Sequence, residues 1–312
     1  MILNLVKNGI FPIVKAIDGS LLPGIPDTGY AISGTVQGEG KLLGMPCLFI
    51  RTSACNLRCA WIGVDGKGSP CDTPYSSHKP EKNPMDVAEI VKLIQVNQGA
   101  IKHCIISGGE PTMQTEALGE LLETLQACGF HTTIETNATI YDDKIAKHTN
   151  LFSMSPKLSS STPHEAHLKD TKIKYDEKWA ERHERDRKNI PVIQQYINAC
   201  YTTSLSYDKN MLAGGMIPAN MDFKVKQGPK KADKDFQLKF VVTKPEDILE
   251  IENDFLAHLT GWKPEDICLM PEGITPEDLM ERTSWVTQEC IKRGWRFTPR
   301  LHALLFGVKR GV

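Results

Sequence analysis

The chain has 312 residues, 37 basic and 38 acidic, with a formal net charge of −1. Near-neutrality excludes a global field that would draw the protein to nucleic acid or an anionic membrane. No apolar run approaches the length that crosses a bilayer, and the length suffices for one large α/β domain or for such a core carrying an insertion.

The opening MILNLVKNGIFPIVKAIDG is broken by Lys7, Asn8 and Pro12 and lacks the small-residue cleavage site of a signal peptide. A cytoplasmic protein is expected, whose nine cysteines are ligands or buried thiols and not disulfides. Residues 1–29 show little periodicity and read as an N-terminal extension to a core over 30–312. From Tyr30 a glycine-rich turn, with Gln37 and Glu39 between Gly34, Gly38 and Gly40, leads into an apolar strand over Pro46–Arg51. Backbone at such a turn can approach a ligand closely, although an ordinary hairpin loop has the same composition.

The strand delivers RTSACNLRCAWIGVDGKGSPCDT, in which Cys55, Cys59 and Cys71 stand as Cys-x3-Cys-x11-Cys. Gly63, Gly66, Gly68 and Pro70 mark the intervening stretch as an excursion able to bring the last cysteine back. Three soft thiolates with one coordination position open suit an iron–sulfur cluster in which one iron also holds a ligand. On this segment alone a structural zinc site competes, with His78 near enough in sequence to be a fourth ligand. Cys47, Cys104, Cys128, Cys200, Cys268 and Cys290 stand singly and read as core residues.

Downstream, Asn83–Gly99 has helical spacing with a proline near its start and a glycine after its end. A strand over Cys104–Ile106 then runs into Ser107-Gly108-Gly109-Glu110-Pro111, where two glycines free the backbone to meet a ligand and a carboxylate can pair with an amine. Helix Thr115–Cys128 follows, then strand Thr132–Glu135 ending in Glu135-Thr136-Asn137, and strand Leu151–Met154 ending in Ser155-Pro156-Lys157. Strand Gln237–Val242, a helix from Pro245, strand Asp266–Met270, a helix from Pro276 and strand Trp295–Thr298 complete the rhythm. Strand, polar loop and helix recur about six times, which predicts a parallel α/β architecture with polar residues converging at the strand C-termini.

Between Ser159 and Asp235 the rhythm lapses, and the stretch reads as an insertion over 159–235. Lys169–Lys188 is a mixed-sign run typical of a solvated helix face, Gln194–Tyr207 is apolar enough to pack, and Gly214, Gly215 and Pro218 mark a loop. Lys224, Lys226, Lys230, Lys231 and Lys234 form a small basic cluster. With only Phe223 and Phe236 interleaved, nucleic-acid contact is disfavoured.

These residues together resemble the radical S-adenosylmethionine superfamily and, within it, the 7-carboxy-7-deazaguanine synthase family. The resemblance is carried by Val36-Gln37-Gly38-Glu39-Gly40, Phe49-Ile50-Arg51, Cys55 to Trp61, Cys71-Asp72-Thr73, Ser107 to Pro111, Glu135-Thr136-Asn137, Ser155-Pro156-Lys157 and Pro299-Arg300-Leu301-His302. It implies a partial (β/α)6 TIM-like barrel with an inserted segment. It departs from the family pattern in the lengthened stretch before Cys71, although Asp72 and Thr73 still follow that cysteine.

The resemblance implies a carbon–nitrogen lyase of queuosine or other 7-deazapurine precursor synthesis. Cys55, Cys59 and Cys71 would hold a [4Fe–4S] cluster with one iron open to S-adenosylmethionine. A 5′-deoxyadenosyl radical would abstract hydrogen from 6-carboxy-5,6,7,8-tetrahydropterin, and ring contraction with loss of ammonia would give 7-carboxy-7-deazaguanine. Ser107, Gly108, Gly109 and Glu110 would bind the methionyl end of the nucleotide, while Glu135, Thr136, Asn137, Ser155 and Lys157 would hold its ribose and carboxylate. Gln37, Glu39, Arg51 and His302 would meet the substrate, and Thr73 would ligate Mg²⁺. A flavodoxin- or ferredoxin-type reductant and a homodimer are likewise implied. The rival expectations are a radical activase acting on a partner protein and a non-enzymatic zinc-binding module.

Overall fold

The computed structural model describes residues 1–206 and 224–312. In chain order the strands are β1 (Ile2–Phe11), β2 (Thr35–Val36), β3 (Pro46–Thr52), β4 (Ala60–Ile62), β5 (Gly68–Pro70), β6 (Asn83–Asp86), β7 (His103–Gly108), β8 (His131–Thr136), β9 (Leu151–Met154), β10 (Tyr201–Ser206), β11 (Lys224–Lys230), β12 (Asp235–Val242), β13 (Ile267–Pro271) and β14 (Arg296–Phe297). The helices are α1 (Val87–Asn97), α2 (Thr115–Ala127), α3 (Asp143–Lys147), α4 (Glu165–Leu168), α5 (Glu177–Asp186), α6 (Ile190–Ala199), α7 (Glu246–Glu250), α8 (Pro276–Arg293) and α9 (Leu301–Phe306).

The main sheet runs β14-β13-β12-β9-β8-β7-β3-β1-β6, parallel from β3 to β14 and antiparallel at the β1 and β6 edge. The units are β3–α1, β7–α2, β8–α3, β9–α6, β12–α7 and β13–α8, so the partial (β/α)6 barrel is the observed fold. Strands such as ICLMP in β13 are apolar throughout because both faces are covered.

On the outer face, Ile90 and Ile94 of α1 and Leu118, Leu121, Leu122 and Leu125 of α2 pack on Leu48, Ile50, Ile106 and Ile134. Each fully buried leucine there contributes about 1.5–3 kcal/mol. A second cluster joins α6, α7 and α8 to β9, β12 and β13. Residues of opposite parity face inward. Phe49 stacks on Phe11 with ring centroids 5.5 Å apart, and the Arg51 guanidinium lies 5.4 Å from the Phe11 ring.

Three expectations change. The supposed extension 1–29 contains β1, which pairs with β3 and β6 inside the sheet; its alternation is interrupted where register shifts between Leu5 and Ile10 and Asn8 takes φ 53. Asn83–Asp86 is extended and not helical, with Pro84 tolerated because β6 is an edge strand. Within 159–235 the stretch read as apolar enough to pack does so, with Tyr196 and Ile197 of α6 in the barrel core beside Ile193. Cys128 is exposed at the end of α2, unlike the other single cysteines, which are buried.

The lysine cluster is structural where its side chains are described. Lys234 is buried and donates to the carbonyls of Ala146, Lys147 and Thr149 at the end of α3, Lys231 donates to Ala199 at the end of α6, and Lys230 pairs with Asp235. Gly214, Gly215, Pro218 and Phe223 lie outside the described residues.

Candidate active site

The cysteine loop leaves β3 at its C-terminal end. Ala54, directly before Cys55, sits at φ 75, a left-handed conformation that costs a residue with a Cβ. Its carbonyl accepts the Glu110 N–H at 2.8 Å, so the loop is held against the Gly-Gly turn of β7. Asn56, Asn137 and Thr139 are joined by three side-chain hydrogen bonds of 2.7–2.9 Å, tying the same loop to the end of β8.

The stretch between Cys59 and Cys71 is a hairpin. β4 pairs antiparallel with β5 through Ala60 and Pro70, Trp61 and Ser69, and Ile62 and Gly68. The Cys71 N–H therefore reaches the Cys59 carbonyl at 3.0 Å. The excursion returns its last cysteine beside the first two because antiparallel pairing closes it. Glu272 and Arg282 secure the hairpin from the barrel side: Ser69 Oγ donates to Glu272 at 2.7 Å, and Arg282 pairs with Glu272 while donating to the Ile62 carbonyl at 2.9 Å.

One cavity of about 230 Å³ opens at the strand C-termini. Its wall holds Cys55, Cys59, Cys71 and Thr73 from the loop and hairpin, Gln37 and Glu39 after β2, and Arg51 from β3. Ser107, Gly108 and Gly109 contribute from β7, Glu135, Thr136 and Asn137 from β8, Ser155 and Lys157 after β9, and His302 from α9. Every sequence-predicted site residue lines it except Glu110. That carboxylate is fully buried and accepts from Thr112 N, Thr112 Oγ1, Thr136 Oγ1 and Asn137 N at 2.6–3.1 Å. Burial pushes its pKa up. Its four donors tie it to the walls, and it does not itself line the cavity.

Sequence reading missed Lys239, Asp72, Arg300 and Glu272 on the same wall. A lysine inside the apolar strand DFQLKFVV was the available signal for the first. Lys239 pairs with Glu39, and Arg300 pairs with Asp72 while its Nε lies 3.5 Å from Glu39. Burial alone would raise the Glu39 pKa, yet Lys239 and Arg300 hold it down to about 2. Gln37 donates to Glu135 at 3.1 Å, and Lys157 donates to Ser155 at 2.8 Å. The glycine spacing around Glu39 is steric: a Cβ on Gly38 would come within 2.4 Å of His302 Nδ1, and one on Gly40, at φ +71, within 2.1 Å of Gln237. Burial lowers the His302 pKa although Glu39 opposes it.

The donor set fits a cluster and a polar nucleotide. Arg51 Nε and Trp61 Nε1 are buried on the wall and, among the described residues, have no hydrogen-bond partner, as expected where a ligand completes the site. His78 does not join the sulfurs, since its Nε2 lies 3.2 Å from the Cys59 carbonyl. Among the described residues no three Cys, His, Asp or Glu side chains converge as a single metal ion requires. Cysteines that bind separate irons of a cubane need no such common point.

A parallel barrel bearing three cysteines and a Gly-Gly turn at its mouth is the frame of a radical S-adenosylmethionine enzyme, and the profile described as the Radical SAM superfamily matches residues 49–201. The 7-carboxy-7-deazaguanine synthase of Halobacterium salinarum is 37% identical over 294 residues, 93% of this chain and 92% of that protein. The enzyme of that name from Rhodopirellula baltica is 31% identical over 276 residues, 88% of this chain and 85% of its own. Among solved structures, QueE from Escherichia coli shares the fold, with a TM-score of 0.51 at 20% identity, covering 95% of this chain and 96% of that one. The chain belongs to the 7-carboxy-7-deazaguanine synthase family.

Proposed function

We propose that the protein converts 6-carboxy-5,6,7,8-tetrahydropterin to 7-carboxy-7-deazaguanine, with Cys55, Cys59 and Cys71 holding a [4Fe–4S] cluster open at one iron to S-adenosylmethionine. The observation that carries the reading is the hairpin that brings Cys71 back to Cys59 on the wall of the cavity shared with Arg51 and Glu39. When bound, cluster and nucleotide supply the radical that takes a hydrogen atom from the substrate.

The chain's own residues bind and orient. The backbone of Ser107 to Gly109 meets the methionyl end, and Glu135, Thr136, Asn137, Ser155 and Lys157 hold ribose and carboxylate. Glu110 acts through Thr136 and Asn137. Arg51, whose Nε has no partner among the described residues, offers a planar fork to the substrate carboxylate. Glu39, kept ionised, is acceptor-only and suits the N–H edge of a pterin, with Gln37 and His302 beside it. Lys239 and Arg300 fix that carboxylate in position. Trp61, Val241 and Met270 make the wall that keeps water from the reacting atoms. Thr73 offers a hydroxyl to Mg²⁺, a cation that keeps waters and takes few protein ligands.

We take the protein further to be a cytoplasmic homodimer fed by a flavodoxin- or ferredoxin-type donor, its product entering queuosine or related 7-deazapurine synthesis. The test is turnover of the anaerobic protein with S-adenosylmethionine, a one-electron reductant and the carboxypterin. Formation of 7-carboxy-7-deazaguanine is expected; nucleotide cleavage without that product overturns the reading.

A further inference from the structure

Segment 159–187, which the reaction does not call on, closes against the cysteine loop and touches three consecutive backbone units of it together with His78. His183 of α5 is fully buried, and its Nδ1 accepts the Arg58 N–H at 3.2 Å. An accepting Nδ1 puts the ring proton on Nε2, which donates to Ser161 Oγ at 3.1 Å; that hydroxyl donates on to the Leu158 carbonyl at 2.7 Å. His78 donates to the Cys59 carbonyl at 3.2 Å, and His167 Nδ1 donates to the Ala60 carbonyl at 3.0 Å.

The Arg58 side chain is held as firmly as its amide. Its guanidinium donates to the Cys55 and Leu57 carbonyls at 2.7 and 2.9 Å, and its carbon lies 4.0 Å from the centre of the Trp179 ring. Arg182 approaches the same ring at 4.9 Å. Arg58 stands between Cys55 and Cys59, so whatever fixes it fixes the spacing of two sulfurs. Without His183 the part-buried Arg58 amide would lose this acceptor.

We propose that 159–187 is a clamp for the cysteine loop, in which His183 and Trp179 are positioning residues that set Cys55 and Cys59 through Arg58. The inference rests on the proposed function for the cluster itself, but the clamp is a property of the chain without it. Leu at 183 removes the acceptor, whereas Asn can present an oxygen where Nδ1 stood.

The test compares His183→Leu, His183→Asn and Trp179→Ala. In the metal-free protein, amide exchange over 57–60 is expected to quicken about tenfold in His183→Leu and to stay within about twofold of the parent in His183→Asn. In the reconstituted protein, His183→Leu and Trp179→Ala should release iron to a chelator about tenfold faster and shift the electron paramagnetic resonance spectrum of the reduced cluster. Parental exchange and an unshifted spectrum in His183→Leu overturn the proposal, as does His183→Asn behaving like His183→Leu. Should His183→Leu fail to fold, Trp179→Ala, at the partly exposed rim of the clamp, decides by the same two readouts. A parent chain that assembles no cluster overturns the proposed function instead, while the exchange measurement still judges the clamp.

Discussion

Replacing Arg282 by Met removes the group that holds the hairpin between Cys59 and Cys71 to the barrel. Arg282 and Glu272 are both nearly buried, at 8% and 5% exposure. The arginine pairs with the carboxylate and also donates to the carbonyls of Glu272 and Ile62 at 2.8 and 2.9 Å. Stranding one member of a buried pair costs about 3–5 kcal/mol. At about 2–4 °C per kcal/mol, the lower bound corresponds to a fall in Tm of about 6–12 °C, read by thermal unfolding of the metal-free protein.

The sign of the pH dependence follows from Glu272, whose carboxyl burial already pushes up. Without Arg282 it rises further above its unfolded value, so the folded state binds more protons there and loses stability as pH rises. The deficit of Arg282→Met should therefore be larger at pH 8 than at pH 5. Adding Glu272→Gln removes the stranded charge and should recover about half the loss. A fall in Tm below about 2 °C, or a double variant no more stable than the single, would refute the assignment of the pair.

Cys71→Ala should abolish cluster assembly while Cys128→Ala, at an exposed helix end, leaves iron content unchanged; iron analysis after anaerobic reconstitution checks both. Arg51→Lys replaces a fork by a point charge and should raise the substrate KM about tenfold with little change in kcat, as steady-state kinetics can show. Because Glu39 is held at about 2, KM should be flat from pH 8 to pH 5. In Lys239→Met burial is less opposed and the carboxyl rises, so KM should climb as pH falls through that range; a flat profile would remove Lys239 from this role.

Much of the barrel was legible because parallel strands covered on both faces are short apolar runs ending in polar loops. The 18-residue α8 carried every boundary signal, with Thr275 capping Asp278, Pro276 in the first turn and Gly294 left-handed after its end. β1 was not legible, since an irregular register around Asn8 splits its alternation into two short halves. The bracing of Glu110 was not legible, because its donors Thr136 and Asn137 come from the end of the next strand. Lys239 was overlooked inside an apolar strand, where a buried lysine is itself a sign of a partner. The capping role of Lys231 and Lys234 was not legible, because helix capping by long cationic side chains leaves no mark in the sequence.

The most direct test of the account is electron paramagnetic resonance of the reduced, reconstituted protein with and without S-adenosylmethionine. One [4Fe–4S] signal per chain, shifted when the nucleotide is added, is the predicted result, because three cysteines leave one iron open to it. A spectrum indifferent to the nucleotide, or a cluster that assembles unchanged without Cys71, would contradict it.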